Sequence, residues 1–202
     1  MKLDPSPNPL CIVLAAGHGT RMGTPKALLR VRETVWWTLQ QSRLQAAGVD
    51  AFWIVNPVVA AAFAADASPP RHATVVPTST TTLPMFASVA HAFSVCTPHA
   101  CNFILPVDVP CPLPDTFSKL ASACGEGASV PARGDTTGHP LCISGSWINR
   151  HLLTPPHPDP LTARLDDLTR PIVRRVQVDD PDIAINLNTP QALEAWIASN
   201  PF

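Results

Sequence analysis

Leu14-Ala15-Ala16-Gly17-His18-Gly19-Thr20-Arg21-Met22-Gly23-Thr24-Pro25-Lys26 continues from the apolar run Leu10 to Ala15. A buried strand runs into three glycines. Glycine lets backbone N–H groups turn inward and approach a ligand closely. Arg21 and Lys26 add two cations with no acidic residue between them. Amide donors beside fixed positive charge are what a polyphosphate requires.

The common phosphate loops do not fit. The Walker pattern G-x-x-x-x-G-K-[ST] does not occur. The glycine spacing is G-x-G-x-x-x-G, one residue longer than the dinucleotide fingerprint. The next apolar strand ends in Val55-Asn56-Pro57, with no acidic residue to hold a ribose. The catalytic-loop and DFG motifs of kinases are missing, and so is the G-x-S-x-G of serine hydrolases.

Outward from the loop, short β-rich runs alternate with helical stretches. Strands are expected at Leu10–Ala15, Leu28–Val31, Ala51–Val55, Thr74–Val76, Asn102–Val107, Ala128–Pro131, Leu141–Ser144 and Ile172–Val178. Helices are expected at Thr34–Ala47, Val58–Ala65, Met85–Val95, Pro114–Cys124, Ser146–Leu153, Leu161–Leu168 and Thr189–Ala198. Thr189 caps the last of these, with Pro190 as its first residue. Near-continuous apolar strands alternating with helices predict an α/β, Rossmann-like three-layer sandwich with a mostly parallel central sheet. No linker divides the chain, so residues 1–202 read as one domain, with 1–9 flexible. Ligands in such sheets lie beyond the carboxyl ends of the strands. That rule selects the loop after Ala15, the loop after Val107 and the turn around Asn186 to Asn188.

Bulk composition narrows the partners. Of 202 residues, 46% are hydrophobic and 14% charged, enough for a substantial core. The 24 prolines exceed the usual share of about 5% and are spread between apolar runs, as stiff loops are. A net charge of -1 gives no excess with which to neutralise nucleic acid. No stretch approaches 18 consecutive apolar residues, which argues against a membrane span. The polar segment Met1 to Pro9 has no signal core, so the cytoplasm is the expected location and the six cysteines are expected as free thiols.

Phe103-Ile104-Leu105-Pro106-Val107-Asp108-Val109-Pro110 places one carboxylate at the end of an apolar strand. Asp108 there can either cap the next helix or hold a hard cation such as Mg²⁺, which binds through few protein oxygens plus phosphates.

The glycine-rich stretch resembles the opening motif L-A-[AG]-G-x-x-x-R-M-G-x-x-K of the molybdenum-cofactor nucleotidyltransferases (MobA/MocA-like NTP transferases) and related sugar-phosphate nucleotidyltransferases. Leu14, Ala15, Ala16, Gly17, Arg21, Met22, Gly23 and Lys26 fall in register. The resemblance implies a loop that wraps a triphosphate, with Leu14, Ala15, Ala16, Gly17 and Gly19 around the nucleotide. Arg21 and Lys26 then act as the catalytic cations. Val107-Asp108-Val109-Pro110 is similar to the family's strand-D-x-P element, which makes Asp108 a Mg²⁺ ligand. Asn186-Leu187-Asn188-Thr189-Pro190 resembles an N-x-N-T-P segment that places Asn188 at the metal and Asn186 in the metal or phosphate environment. Two asparagines alternating along an extended segment point the same way, toward a ligand, or else they serve turn chemistry and helix capping.

Gly138-His139-Pro140-Leu141 resembles a G-H-P-[VL] element on the acceptor side, where His139 either contacts the acceptor or anchors its strand. Ala163-Arg164 matches only the end of a G-D-x-G-A-R element and makes Arg164 an acceptor contact. Pro84-Met85-Phe86-Ala87-Ser88 stands where relatives carry G-M-x-x-S, which brings Ser88 to the nucleotide. Thr78 to Thr82 departs from the family at the stretch that reads the base.

The implied reaction is transfer of CMP or GMP from CTP or GTP to a molybdopterin-type phosphate, with Mg²⁺, and release of pyrophosphate. A sugar- or alditol-phosphate acceptor, or a nucleotide-binding protein without catalysis, are the alternatives. Ala15-Ala16 is like the cytidylyltransferases, and the Asn-x-Asn segment like the guanylyltransferases. Cys96 to Cys101 offers too few ligands for tetrahedral zinc. Trp36, Trp37 and Trp53 read as core or subunit contacts.

Overall fold

A computed structural model of the chain describes residues 7–17, 19, 22–76 and 84–200. Strand β1 (Leu10–Ala15) lies at the centre of an eight-stranded sheet. To one side it pairs in parallel with β4 (Asp50–Val55), which pairs in parallel with β5 (Ala73–Val75). To the other side it pairs in parallel with β6 (Cys101–Pro106). Beyond β6 come β9 (Leu141–Ser144), antiparallel to both its neighbours, then β7 (Ala128–Arg133) and the parallel edge strand β10 (Val173–Gln177). The two-residue β8 (Thr136–Thr137) turns back on β7. The sheet is therefore mostly parallel, as expected, with two reversed strands, β8 and β9.

Alternate residues along each strand face opposite layers. Val13, Trp53, Phe103 and Leu105 meet one layer, formed by α1 (Trp36–Ala46), α2 (Pro57–Ala64), α4 (Pro114–Cys124) and α7 (Pro190–Ser199). Ile12, Ile54, Ile104 and Ile143 meet the other, formed by α3 (Met85–Val95), α5 (Gly145–His151) and α6 (Leu165–Thr169). The result is a three-layer sandwich. All six cysteines are free thiols. No helix among the described residues is long and apolar enough to cross a membrane.

Four details depart from the sequence reading. The run 28–31 is not one strand. Lys26–Leu28 form a single 3-10 turn, followed by a hairpin of β2 (Arg30–Val31) and β3 (Thr34–Val35) closed through Arg32 at φ 53°. The first helix accordingly starts at Trp36 rather than Thr34. The helix expected at Leu161–Leu168 is confined to Leu165–Thr169, because Asp159 accepts from Leu161 N and Thr162 Oγ1 and holds that end in a turn. A 3-10 turn at Pro181–Ala184 was not foreseen.

That last turn hangs on Asp180, which is 1% exposed. Its carboxylate accepts from Leu113 N (2.8 Å), Thr116 Oγ1 (2.8 Å) and Asp182 N (3.0 Å). Asp180→Ala strands three donors, most of them buried, and is expected to cost roughly 3 kcal/mol or more of stability. Urea denaturation measures it; a loss below about 1 kcal/mol is incompatible with this network.

Candidate active site

Chain connections leave β1 toward β4 on one side and arrive at β6 on the other. The crevice for a ligand opens at such a reversal, beyond the carboxyl ends of the two strands. A cleft of about 390 Å³ lies there, lined by Leu14, Gly17, Gly19, Met22, Lys26, Val107, Asp108 and Asn188. All three segments selected from the sequence contribute to it.

The loop is shaped by its own backbone. Gly19 has φ +64°, and Met22 N donates to its carbonyl at 2.8 Å. A Cβ on Gly19 would stand 1.9 Å from Thr24 O, so only glycine fits. At Gly17 a Cβ would meet nothing within 4 Å, which leaves that stretch of backbone open toward the cleft. Behind the loop, Asn56 is 1% exposed. Its amide donates to Gly17 O at 3.1 Å and Ala16 O at 3.4 Å, while its Oδ1 accepts from Val59 N at 2.9 Å and caps α2. This anchor was missed in the sequence, although Asn-Pro at a strand end is a helix-start signature.

Lys26, at the start of its 3-10 turn, reaches into the cleft. Its Nζ lies 2.8 Å from Asp108 Oδ2 and also donates to Asn188 Oδ1. The side chains of Lys26 and Asp108 are 18% and 23% exposed. Asp108 follows β6, whose register continues through Val107 N to Leu14 O at 3.1 Å. Its own carbonyl accepts from Leu187 N at 2.7 Å, which ties the 186–188 segment to the strand end. Two oxygens from distant segments thus converge on one positive centre.

That convergence tests the site for a metal. A carboxylate and an amide carbonyl that share an ammonium form a hard oxygen set suited to a divalent cation. Among the described residues no three His, Cys, Asp or Glu side chains cluster as ligands. Two protein oxygens, with water and phosphate filling the rest, is how Mg²⁺ is commonly held.

Other expected site residues lie outside the cleft lining. Asn188 N donates to Asn186 O at 2.9 Å, so 186–188 is a tight turn and not an extended pair. Asn188 faces Lys26, while Asn186 is exposed. His139 is half-buried, and its Nδ1 has no hydrogen-bond partner among the described residues. Burial lowers its pKa, against the pull of the Asp108 and Asp166 carboxylates, so the imidazole is neutral at pH 7. A Cβ on the preceding Gly138 would come within 2.0 Å of Ile183 O, so glycine permits this close approach. Arg164 is exposed at the N-cap of α6, two residues before Asp166. Ser88 sits half-buried in the first turn of α3, and Ala15 and Ala16 stand just behind the lining. Arg21 and the run Thr78 to Thr82 lie outside the described residues.

Known proteins share this architecture. The family model of the MobA-like NTP transferase domain matches residues 11–159. Rv0371c from Mycobacterium tuberculosis H37Rv is similar with a TM-score of 0.74 and 24% identity, over 97% of this chain and 100% of that one. The same protein in complex with manganese gives a TM-score of 0.68 and 21% identity, over 96% and 100%. A nucleotidyl transferase from Methanothermobacter gives 0.71 and 17%, over 96% and 100%. At these identities the likeness is one of fold. A sequence comparison with curated proteins finds no match.

Proposed function

Since the chain belongs to the MobA-like NTP transferase domain family, we propose that it transfers CMP or GMP from the triphosphate to a molybdopterin-type phosphorylated acceptor, releasing pyrophosphate, as a single domain over residues 1–202. The observation that carries this reading is the meeting of Lys26, Asp108 and Asn188 at the mouth of the glycine-rich loop.

In the proposed reaction an acceptor phosphate oxygen attacks the α-phosphorus, and the bond to the bridging oxygen breaks. The loop at Leu14, Gly17 and Gly19 leaves room for the triphosphate to lie against its backbone. Lys26, with Arg21, neutralises the leaving pyrophosphate. Asp108 and Asn188 would hold Mg²⁺, which would supply charge neutralisation for the phosphates. The manganese bound by the Rv0371c structure favours a divalent cation. His139 and Arg164 are assigned to the acceptor side, Ser88 to the nucleotide and Asn186 to the phosphate environment. The six thiols suit a reducing compartment, and the cytoplasm is the proposed location.

Thermal unfolding with CTP, GTP, ATP and UTP, each with and without Mg²⁺, tests the proposal. A ligand that binds only the native state at a hundred times its Kd adds about 2.7 kcal/mol. For a chain of this size that raises the midpoint by roughly 5–10 °C. CTP or GTP is expected to give this shift with Mg²⁺ and to lose it in Asp108→Ala. Flat curves for every triphosphate would overturn the reading.

A further inference from the structure

Trp36, Gln40 and Arg43 recur at i, i+4 and i+7 and share one face of α1. Most of that layer's buried residues are apolar, yet Gln40 is fully buried. Buried polar groups persist only with partners, and both partners of Gln40 belong to one segment, 109–111. Trp36 Nε1 donates to Val107 O at 2.6 Å. Gln40 Nε2 donates to Val109 O at 2.8 Å, and its Oε1 accepts from Cys111 N at 2.7 Å. Arg43 donates to Cys111 O at 3.1 Å and to Asp182 Oδ2 at 3.2 Å. Asp182 Oδ1 in turn accepts from Trp196 Nε1 at 2.8 Å.

The helix therefore grips the carbonyls of residues 107, 109 and 111, alternate positions of the segment that carries Asp108. Past the end of β6 those groups pair with no strand among the described residues. α1 replaces the missing ladder with side chains. The residue between the first two grips, Asp108, lines the cleft. Through Arg43 and Asp182 the same face reaches the segment that ends in Leu187 and Asn188, whose Leu187 N–H holds the Asp108 carbonyl.

We propose that the Trp36–Gln40–Arg43 face is a positioning device for the cation-holding oxygens of Asp108 and Asn188, with Gln40 its central positioning residue. The proposal rests on the reading of Asp108 as the carboxylate that holds the metal. Residues that orient metal ligands from behind change metal affinity by 10–100-fold when removed.

Gln40→Met keeps the volume and deletes both bonds. Two readouts are taken on the whole protein. Amide hydrogen exchange at Cys111 and Leu187, without ligand, is expected to speed up about tenfold or more, with the amides of β1 and β4 unchanged. The Mg²⁺ concentration for half-maximal pyrophosphate release is expected to rise about tenfold, with the nucleotide KM at saturating Mg²⁺ moved less than about twofold. Unchanged Leu187 exchange, or an unmoved Mg²⁺ midpoint in an active protein, overturns the proposal. A wild type that shows no Mg²⁺-dependent nucleotide binding defeats the functional reading instead, and the exchange rates still decide the positioning role. Should Gln40→Met not fold, Trp36→Phe serves. It keeps an aromatic ring against Trp196, 5.1 Å away in the native pair, and removes the donor to Val107. The same directions of change are expected, and their absence overturns the proposal.

Discussion

Lys26→Ala slows pyrophosphate release about a hundredfold or more while the melting midpoint stays within a few degrees of wild type. Loss of one preorganised charge-stabilising contact costs roughly 2.7–4 kcal/mol in the barrier, and each 1.36 kcal/mol is a factor of ten in rate. The Lys26 ammonium already stands in the cleft, beside the glycine-rich loop, before any ligand arrives. Asp108 lines the cleft and keeps 23% of its side chain exposed, so water can solvate the carboxylate once the ammonium is gone, and the larger effect belongs to the rate. Single-turnover kinetics beside a thermal melt separate the two. Near-normal turnover would remove Lys26 from the chemistry.

Gly19→Ala produces a comparable loss by a different route. The glycine sits at φ +64°, a region costing other residues about 1–2 kcal/mol. The added methyl would also overlap Thr24 O at 1.9 Å and approach Pro25 Cα at 2.9 Å. Both are backbone atoms immediately before Lys26, and no side-chain rotation relieves the overlap. The loop must open, and Lys26 moves with it. Nucleotide-dependent stabilisation is expected to fall by at least half and turnover by about a hundredfold, because an ångström of misplacement at a reacting group is worth that much. The core strands do not touch the substitution, so the melt of the ligand-free variant reports whether damage is confined to the loop. Unaltered nucleotide affinity would show that the turn is not part of the binding surface.

Much of this was legible in the sequence because the physics is local. Leu10 to Ala15 and Phe103 to Leu105 are apolar on both faces, which only a covered strand tolerates. The glycine spacing and the lone Asp108 at a strand end marked two sides of the cleft, and the rule about carboxyl ends brought them together. The direction of β9 was also within reach. The link 134–140 between β7 and β9 is too short for a parallel crossover, which takes a dozen or more residues. Asn186 was harder. Alternation along an extended chain would put it on one side with Asn188, while asparagine's turn chemistry was the other reading, and a local bond from Asn188 N to Asn186 O bends the chain there. The role of Gln40 was not legible, since a glutamine inside a helix says nothing of which distant carbonyl it meets.

Lys26 and Asn188 are bonded to each other although 162 positions separate them. A ribosome adding about 5–20 residues per second makes the second roughly 8–32 s after the first. During that interval β1, β4 and β6 can pair, and the glycine-rich loop and Asp108 are both present. The Leu187 N–H that holds the Asp108 carbonyl is not, nor is the amide that shares the ammonium. A chain that stops before residue 187 therefore lacks both contacts, and the cleft takes its final form only after this distant segment has been made.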